Sequence, residues 1–313
     1  MSRQAIEDQL QMMPDQLGEP LQSPVRYALR GGKRARGLLL LAAGESSDTK
    51  LVRAAACVEL LHAATLVQDD IFDRSRVRRG AASVYCAYGA QLATLASDWM
   101  LSEATRSAYR LAPGFGEALS GCAQKMMEAE ALELAPLLMQ TPVDLRAHAE
   151  SVARGKTGEL FGLALSAAAL LGGDQRRAAE LYQAGCRLGV AFQYLDDVLD
   201  LYGEADCAGK SLGRDLAASL CTLPALDASA RLPASMAAPL LGRAGEIPGA
   251  VLEELGSRGV RDYVMVCARG RWEEALQEIS RYFSEASDVM RLLGSLATAV
   301  LPDFLAGEIL PAA

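Results

Sequence analysis

Asp69, Asp70 and Asp73 fall within five residues at the end of an apolar run, with Leu66 and Val67 just before them. On a helix, Asp69 and Asp73 share one side a turn apart, and Asp70 lies about 100° around. Like charges at that spacing repel by a few tenths of a kcal/mol, and a divalent cation is the simplest group to offset the cost. The pattern recurs at Asp196, Asp197 and Asp200, again among apolar neighbours, Phe192, Tyr194 and Leu195. Clustered carboxylates without His or Cys suit hard cations, and Mg²⁺ is commonly held by one or two carboxylates completed by substrate phosphates. Either box alone reads equally well as a solvated helix end, but together they point to a pair of magnesium sites.

Fixed positive charge stands near the first box in sequence. Lys33, Arg34 and Arg36 follow the glycine pair Gly31-Gly32, and Arg78-Arg79-Gly80 follows the box itself. Phosphate oxygens need both a divalent ion and Arg or Lys donors; the bland alternative is a solvated loop with weak surface ion pairs. His62 lies two turns before Asp69 on the same helix face. It either donates to a phosphate or is a core histidine satisfied by a backbone carbonyl. His148, on a more polar helix, is expected at the surface. Lys156-Thr157 opens a long apolar stretch, where a cation and a hydroxyl hold a phosphate or meet a developing positive charge. Gln193 shares the face of the second box. The competing reading of these three is a helix-terminal lysine with its hydroxyl neighbour and a buried amide. Lys210, in the loop after the second box, is ambiguous in the same way.

The elements that must carry these groups are helical. Hydrophobic residues make up 51% of the 313 residues and aromatics only 5%, and the apolar share is mainly Ala and Leu, strong helix formers. Helices are expected within Met1–Leu29 (interrupted near Pro14, Pro20 and Pro24), then at 49–74, 91–111, 116–139, 144–171, 178–201, 250–255, 260–283 and 287–296. No linker or composition shift divides domains, so one domain over 1–313 is expected. The seven cysteines contain no CxxC; Cys57, Cys122, Cys186 and Cys267 sit in helical runs and read as buried thiols of a reducing compartment. Residues 1–15 have no signal-peptide core, and no run of 18 apolar residues suggests a membrane span. A net charge of −8 excludes a nucleic-acid or anionic-membrane surface as the main partner. The expectation is a cytoplasmic all-α protein.

GGKRAR at 31–36, Glu59 to His62, DDIFD at 69–73, Arg78-Arg79-Gly80, Lys156-Thr157, FQYLDD at 192–197 and GKSLGRD at 209–215 occur in order. In this order and spacing the chain resembles the trans-isoprenyl diphosphate synthases, from about residue 28 to 224. The resemblance implies a single large antiparallel helix bundle of the isoprenoid synthase type, the boxes facing each other across a central cavity, and a homodimer. It implies substrates, isopentenyl diphosphate and an allylic diphosphate, and three Mg²⁺ ions bound with the latter. By position, Asp69, Asp73 and Asp196 resemble the principal metal ligands, with Asp70, Asp197 and Asp200 supporting them. Lys33, Arg36, His62 and Arg79 resemble the residues that grip isopentenyl diphosphate. Arg78, Lys156 and Lys210 resemble those that hold the allylic diphosphate, with Thr157 and Gln193 near its cationic carbon.

Short-chain members of the family carry a bulky aromatic just before the first box, where Ala64 and Thr65 stand here. Small residues there imply a product longer than farnesyl, with Trp99 and Phe72 as a possible floor. The chain departs from the pattern at Gly37 (usually Pro), at Ala81-Ala82-Ser83 (usually x-Pro-Thr), at Leu220, where a further lysine is common, and in lacking a basic tail after Pro302. Two other readings share the fold: a terpene cyclase, disfavoured by the intact second box and the isopentenyl grip, and a non-catalytic regulatory subunit, kept open by Leu220.

Overall fold

The structure, a computed structural model, describes residues 3–44, 48–134, 145–202, 222–232 and 259–300. Lys210, Leu220, the expected helix at 250–255 and the tail after Pro302 lie outside them. The described chain is almost wholly helical, as expected. In order it forms α1 (Arg3–Met12), a 3-10 turn, α2 (Gln22–Ala28), α3 (Ala35–Ala43), α4 (Thr49–Phe72), α5 (Val84–Leu111), α6 (Pro113–Leu134), α7 (Leu145–Ala153), a π-helical turn (Arg154–Gly158), α8 (Glu159–Gly172) and α9 (Gln175–Tyr202). Helices at Leu223–Arg231, Val260–Ile279 and Asp288–Val300 follow. Among the described residues the one sheet is a two-residue hairpin, β1 (Val77–Arg78) with β2 (Ala81–Ala82), pairing Val77 with Ala82.

By contact density the chain divides into two compact units. The first comprises Met1–Gln124, Leu160–Gly185 and Phe283–Leu292, and α4 is its axis. Asp48 caps α4 by accepting the Lys50 N–H at 2.7 Å, and no Gly or Pro interrupts the helix before Phe72. Its buried residues lie all round, from Leu51 through Leu60, Leu61 and Ala64 to Val67, as befits a helix enclosed by others. Each fully buried Leu contributes about 1.5–3 kcal/mol. By length and composition α4 would pass for a membrane span, but 72% of its apolar stretch is buried inside the protein. Its main neighbour is α5, begun by Ser83, whose hydroxyl oxygen accepts the Cys86 N–H at 3.0 Å and whose O–H is given to the Ser75 carbonyl. A break at Gly89, with φ 82°, divides α5.

The second unit comprises Lys125–Glu159, Cys186–Tyr282 and Leu293–Ala313. There the π-turn lies directly on α9: a Cβ on Gly189 would stand 2.5 Å from the Gly158 Cα and 2.8 Å from the Thr157 carbonyl oxygen. Only glycine permits that approach. Leu223–Arg231 packs on α7 and on Val260–Ile279. His148 is 6% exposed, which corrects the surface expectation; α7 is amphipathic, and His148 shares its inner face with Ala149 and Val152. Cys57, Cys122 and Cys186 are buried as expected, Cys267 is half-buried and Cys86 is exposed, all five as free thiols.

Candidate active site

Both aspartate boxes end long helices. The first occupies the last turn of α4, where Asp73 is the C-cap and gives its N–H to the Asp69 carbonyl at 2.9 Å. The second lies in the last two turns of α9. A helix C-terminus carries roughly half a negative charge, so acids there add to that charge. The arrangement is destabilising unless cations meet it.

In the first unit the nearest cation is Arg78. It donates from Nε and Nη2 to Asp70 Oδ1 at 3.0 and 2.6 Å, and Asp70 is 2% exposed. Burial pulls the Arg78 pKa down, but the Asp70 bond and the charges of Asp70, Asp69 and Asp73 outweigh it, and the net shift is upward. Asp70 is therefore turned to Arg78, while Asp69 is half-buried and Asp73 exposed. A cavity of about 270 Å³, bordered by Tyr27, Arg30, Val67, Asp70, Arg78 and Arg79, opens beside this pair. The Tyr27 hydroxyl secures the hairpin edge by donating to the Ala82 carbonyl at 2.8 Å.

Above the box in the same unit, Arg36, His62 and Arg79 form an electropositive group. Arg36 Nη1 lies 3.0 Å from His62 Nε2. A guanidinium only donates, so Nε2 accepts and the imidazole proton is on Nδ1. Burial, then the fields of Arg36, Arg79, Arg78 and Arg34, hold the His62 pKa well below 6.5, and the ring is neutral. Arg36 stacks on Phe161, 4.8 Å from the ring centre, and among the described residues its buried Nε has no hydrogen-bond partner. Burial lowers its pKa, partly offset by Glu59. Arg79 donates from Nη1 to the Arg30 carbonyl at 3.1 Å, and its guanidinium fills the space where a Cβ of Gly32 would be. Lys33 is exposed at the turn.

Arg34, Arg74 and Arg79 all have left-handed backbones, with φ of 52°, 52° and 54°, an uncommon conformation for arginine that costs on the order of 1 kcal/mol or more each. At Arg34 the compensation is visible. Its side chain is buried, bonded to Glu7 Oε1 and Oε2 at 3.0 and 2.9 Å, and 3.9 Å from Glu59. These bonds tie Arg34 into the fold. Glu59 also accepts the Gly37 N–H at 2.8 Å, which accounts for the glycine: a proline there has no N–H to give.

In the second unit the π-turn holds Lys156 and Thr157. Such turns widen a helix by one residue and recur at functional sites. Thr157 Oγ1 donates to Gln193 Oε1 at 2.6 Å, and Gln193 Nε2 donates to Asp197 Oδ1 at 2.9 Å. Asp197 is buried and Asp196 half-buried; the Asp200 side chain lies outside the described residues. Lys156 is paired with Glu130, at 2.9 Å, and with Glu133. Its expected partner was a diphosphate, and the two glutamates were not anticipated. Their signal was an i, i+3 acidic pair on α6, alike in sequence to any solvated helix face.

Ala64 and Thr65 lie as expected on α4, Ala64 buried and Thr65 half-buried. The Ala64 carbonyl accepts from Ser97 Oγ at 3.0 Å, and the Thr65 hydroxyl donates to the His62 carbonyl at 3.0 Å. Trp99 is half-buried on α5. Phe72 is 50% exposed at the end of α4 and floors no buried tunnel, which corrects that expectation; it lies beyond the apolar part of the helix.

Among the described residues no three His, Cys, Asp or Glu converge as a ready-made metal cage. The side-chain donors of the two boxes are carboxylate oxygens, the hard donors that Mg²⁺ takes. The residues fit the ion.

The sequence profile of the polyprenyl synthetase family matches residues 18–246. The chain belongs to this family. Among its relatives, the geranyl-diphosphate-specific all-trans-nonaprenyl-diphosphate synthase of Rhodobacter capsulatus is 35% identical over 63% of the chain and 62% of that protein. The octaprenyl diphosphate synthase of Haemophilus influenzae is 30% identical over 80% of the chain and 78% of that protein. The match spans less than two thirds of the Rhodobacter protein, and 59% of the nonaprenyl diphosphate synthase of Mycobacterium tuberculosis. Among solved structures, a polyprenyl synthase from Caulobacter crescentus, complexed with calcium and isoprenyl diphosphate, superposes with a TM-score of 0.81 at 28% identity, covering 95% of this chain and 92% of that one. The chain has the all-α isoprenoid synthase fold.

Proposed function

We propose that the chain is a trans-prenyltransferase. It condenses isopentenyl diphosphate with an allylic diphosphate to give a linear all-trans diphosphate longer than farnesyl. The observation that carries this reading is the group around Arg36: a buried guanidinium nitrogen with no partner among the described residues, beside a neutral histidine under the field of four arginines. An unpartnered buried donor is costly, and an anion is the group that satisfies it. Relatives named for farnesyl, octaprenyl and nonaprenyl products support the reaction class.

Arg36, Arg79, Lys33 and the Nδ1–H of His62 hold the diphosphate of the isopentenyl substrate. Asp69 and Asp73 of the first box, and Asp196 of the second, would hold Mg²⁺, which when bound would supply charge neutralisation to the departing pyrophosphate. Lys156 and Lys210 add cationic support there, and Arg78 acts through its grip on Asp70. The allylic C–O bond breaks, leaving a cation near Thr157 and Gln193. The isopentenyl double bond attacks that carbon, a C–C bond forms, and the proton lost in restoring the double bond goes to pyrophosphate. We further propose that the protein works in the cytoplasm as a homodimer and as a single catalytic domain; its free cysteines support a reducing compartment.

The test is to supply the purified protein with Mg²⁺, labelled isopentenyl diphosphate and geranyl, farnesyl or geranylgeranyl diphosphate in turn, and to size the products. Linear products longer than farnesyl support the reading. Cyclic hydrocarbons formed without isopentenyl uptake would make it a cyclase, and turnover only with an added partner would make it a regulatory subunit.

A further inference from the structure

The chain of hydrogen bonds from Thr157 through Gln193 to Asp197 has a direction, and one residue sets it. An ionised carboxylate has no hydrogen to give. Gln193 must therefore present its Nε2 to Asp197 Oδ1, at 2.9 Å, because its carbonyl oxygen would meet another oxygen there. That leaves Oε1 facing Thr157, 2.6 Å away, and Oε1 is an acceptor only. The single hydroxyl hydrogen of Thr157 is thereby committed to Gln193. Whatever else Thr157 Oγ1 meets, it meets with lone pairs.

We infer that Asp197 is a positioning residue that fixes Thr157 as an acceptor towards the allylic cation. The inference rests on the prenyl-transfer reading proposed above. A cation is stabilised by lone pairs and destabilised by a hydroxyl hydrogen pointed at it, so the polarity of the chain matters to the rate and not to substrate binding. Two features hold the geometry. The π-turn sets Thr157 against α9, and the glycine contact between Gly158 and Gly189 allows the approach. Asp197 is also 4% exposed and lies one turn after Gln193 on α9, so its carboxylate serves its own helix face.

The experiment compares wild type, Asp197→Asn, Thr157→Val and the double variant for kcat, for KM of both substrates and for the Mg²⁺ concentration giving half-maximal rate. Asparagine is isosteric but can offer either an oxygen or an N–H, so the amide of Gln193 is free to turn over. The expected result is a kcat lowered roughly 10- to 100-fold in Asp197→Asn, as for partners that orient ligand-facing groups, with KM and Mg²⁺ half-saturation within about twofold of wild type. Thr157→Val loses at least as much, and the double variant is no slower than Thr157→Val alone, since the whole effect passes through one hydroxyl. Gln193→Met, which keeps the volume and removes the amide, shows the same kcat loss and the same insensitivity to Asp197→Asn, and serves if Asp197→Asn does not fold. A raised Mg²⁺ requirement in Asp197→Asn, or losses that multiply in the double variant, overturns the inference while leaving the prenyl-transfer reading intact. A wild-type protein that forms no product overturns that reading, and this inference with it.

Discussion

Arg78 presents Nε and Nη2 to one oxygen of Asp70, Oδ1, at 3.0 and 2.6 Å. The pair divides the first box by role. Its middle carboxylate anchors the hairpin arginine, and the outer two, Asp69 and Asp73, stand a turn apart at the negative end of α4.

Arg78→Ala is expected to destabilise the protein by about 2–4 kcal/mol, because Asp70 stays buried after losing its guanidinium. Asp70→Asn should cost less, since no buried charge is stranded. Urea unfolding of the two variants checks this, and an Arg78→Ala cost below about 0.5 kcal/mol contradicts the assigned role.

Gly37→Pro restores the residue usual in the family, yet it is expected to destabilise this protein by about 2–4 kcal/mol. Proline suits the first turn of a helix, so α3 itself loses little. The cost comes from the N–H withdrawn from buried Glu59 and from crowding: even a Cβ at Gly37 would stand 2.9 Å from Ile6 Cδ1 and 3.0 Å from Glu59 Cγ. Thermal unfolding measures it, and an unchanged midpoint would show that Glu59 finds another donor.

Much of this arrangement was legible in the sequence. The helices and the placement of both boxes at helix ends follow from residue type and spacing, because local periodicity carries that information; Arg36, His62, Arg79, Thr157 and Gln193 were singled out by the family resemblance, and the hydrogen bonds that join Arg36 to His62 and Thr157 to Gln193 were not foreseen. Partners distant in the chain do not announce themselves. Glu7 and Glu59 around Arg34, Phe161 beneath Arg36, and Glu130 and Glu133 on Lys156 were hidden, since an acid that neutralises a buried arginine is the same letter as one in solvent. His148 was misjudged for the same reason: a polar helix still has an inner face. The π-turn at Arg154–Gly158 left no mark in the periodicity short enough to read.

His62 is expected not to titrate between pH 6 and 8. Burial and four arginines depress its folded pKa well below the ordinary 6.5. The unfolded chain therefore binds a proton at this site first as pH falls. The neutral ring's contribution to stability is complete above about pH 6.5 and is lost as pH drops from there towards the folded value. With only two histidines in the chain, NMR of labelled imidazoles resolves the curve directly. A His62 midpoint near 6.5 contradicts the buried, arginine-ringed site.

Ala64→Phe is expected to shorten the product by at least one five-carbon unit. The side chain enters a buried position on the α4 face tied to Ser97, and overpacking should cost about 1–3 kcal/mol of stability. Chromatography of the released alcohols reads the length. A folded variant with an unchanged product distribution removes Ala64 from the determinants of chain length.

The central claim is that the cationic group around Arg36 and the two aspartate boxes serve one condensation. Its most direct measure is the rate at which labelled isopentenyl diphosphate is built into an allylic product, with Mg²⁺ and after chelation, in wild type and in Arg36→Ala. The account predicts transfer that requires Mg²⁺ and an Arg36→Ala variant whose KM for isopentenyl diphosphate rises at least tenfold while its KM for the allylic substrate stays within about twofold. No incorporation by the wild-type protein with any allylic primer, or an Arg36→Ala variant equal to wild type, contradicts it.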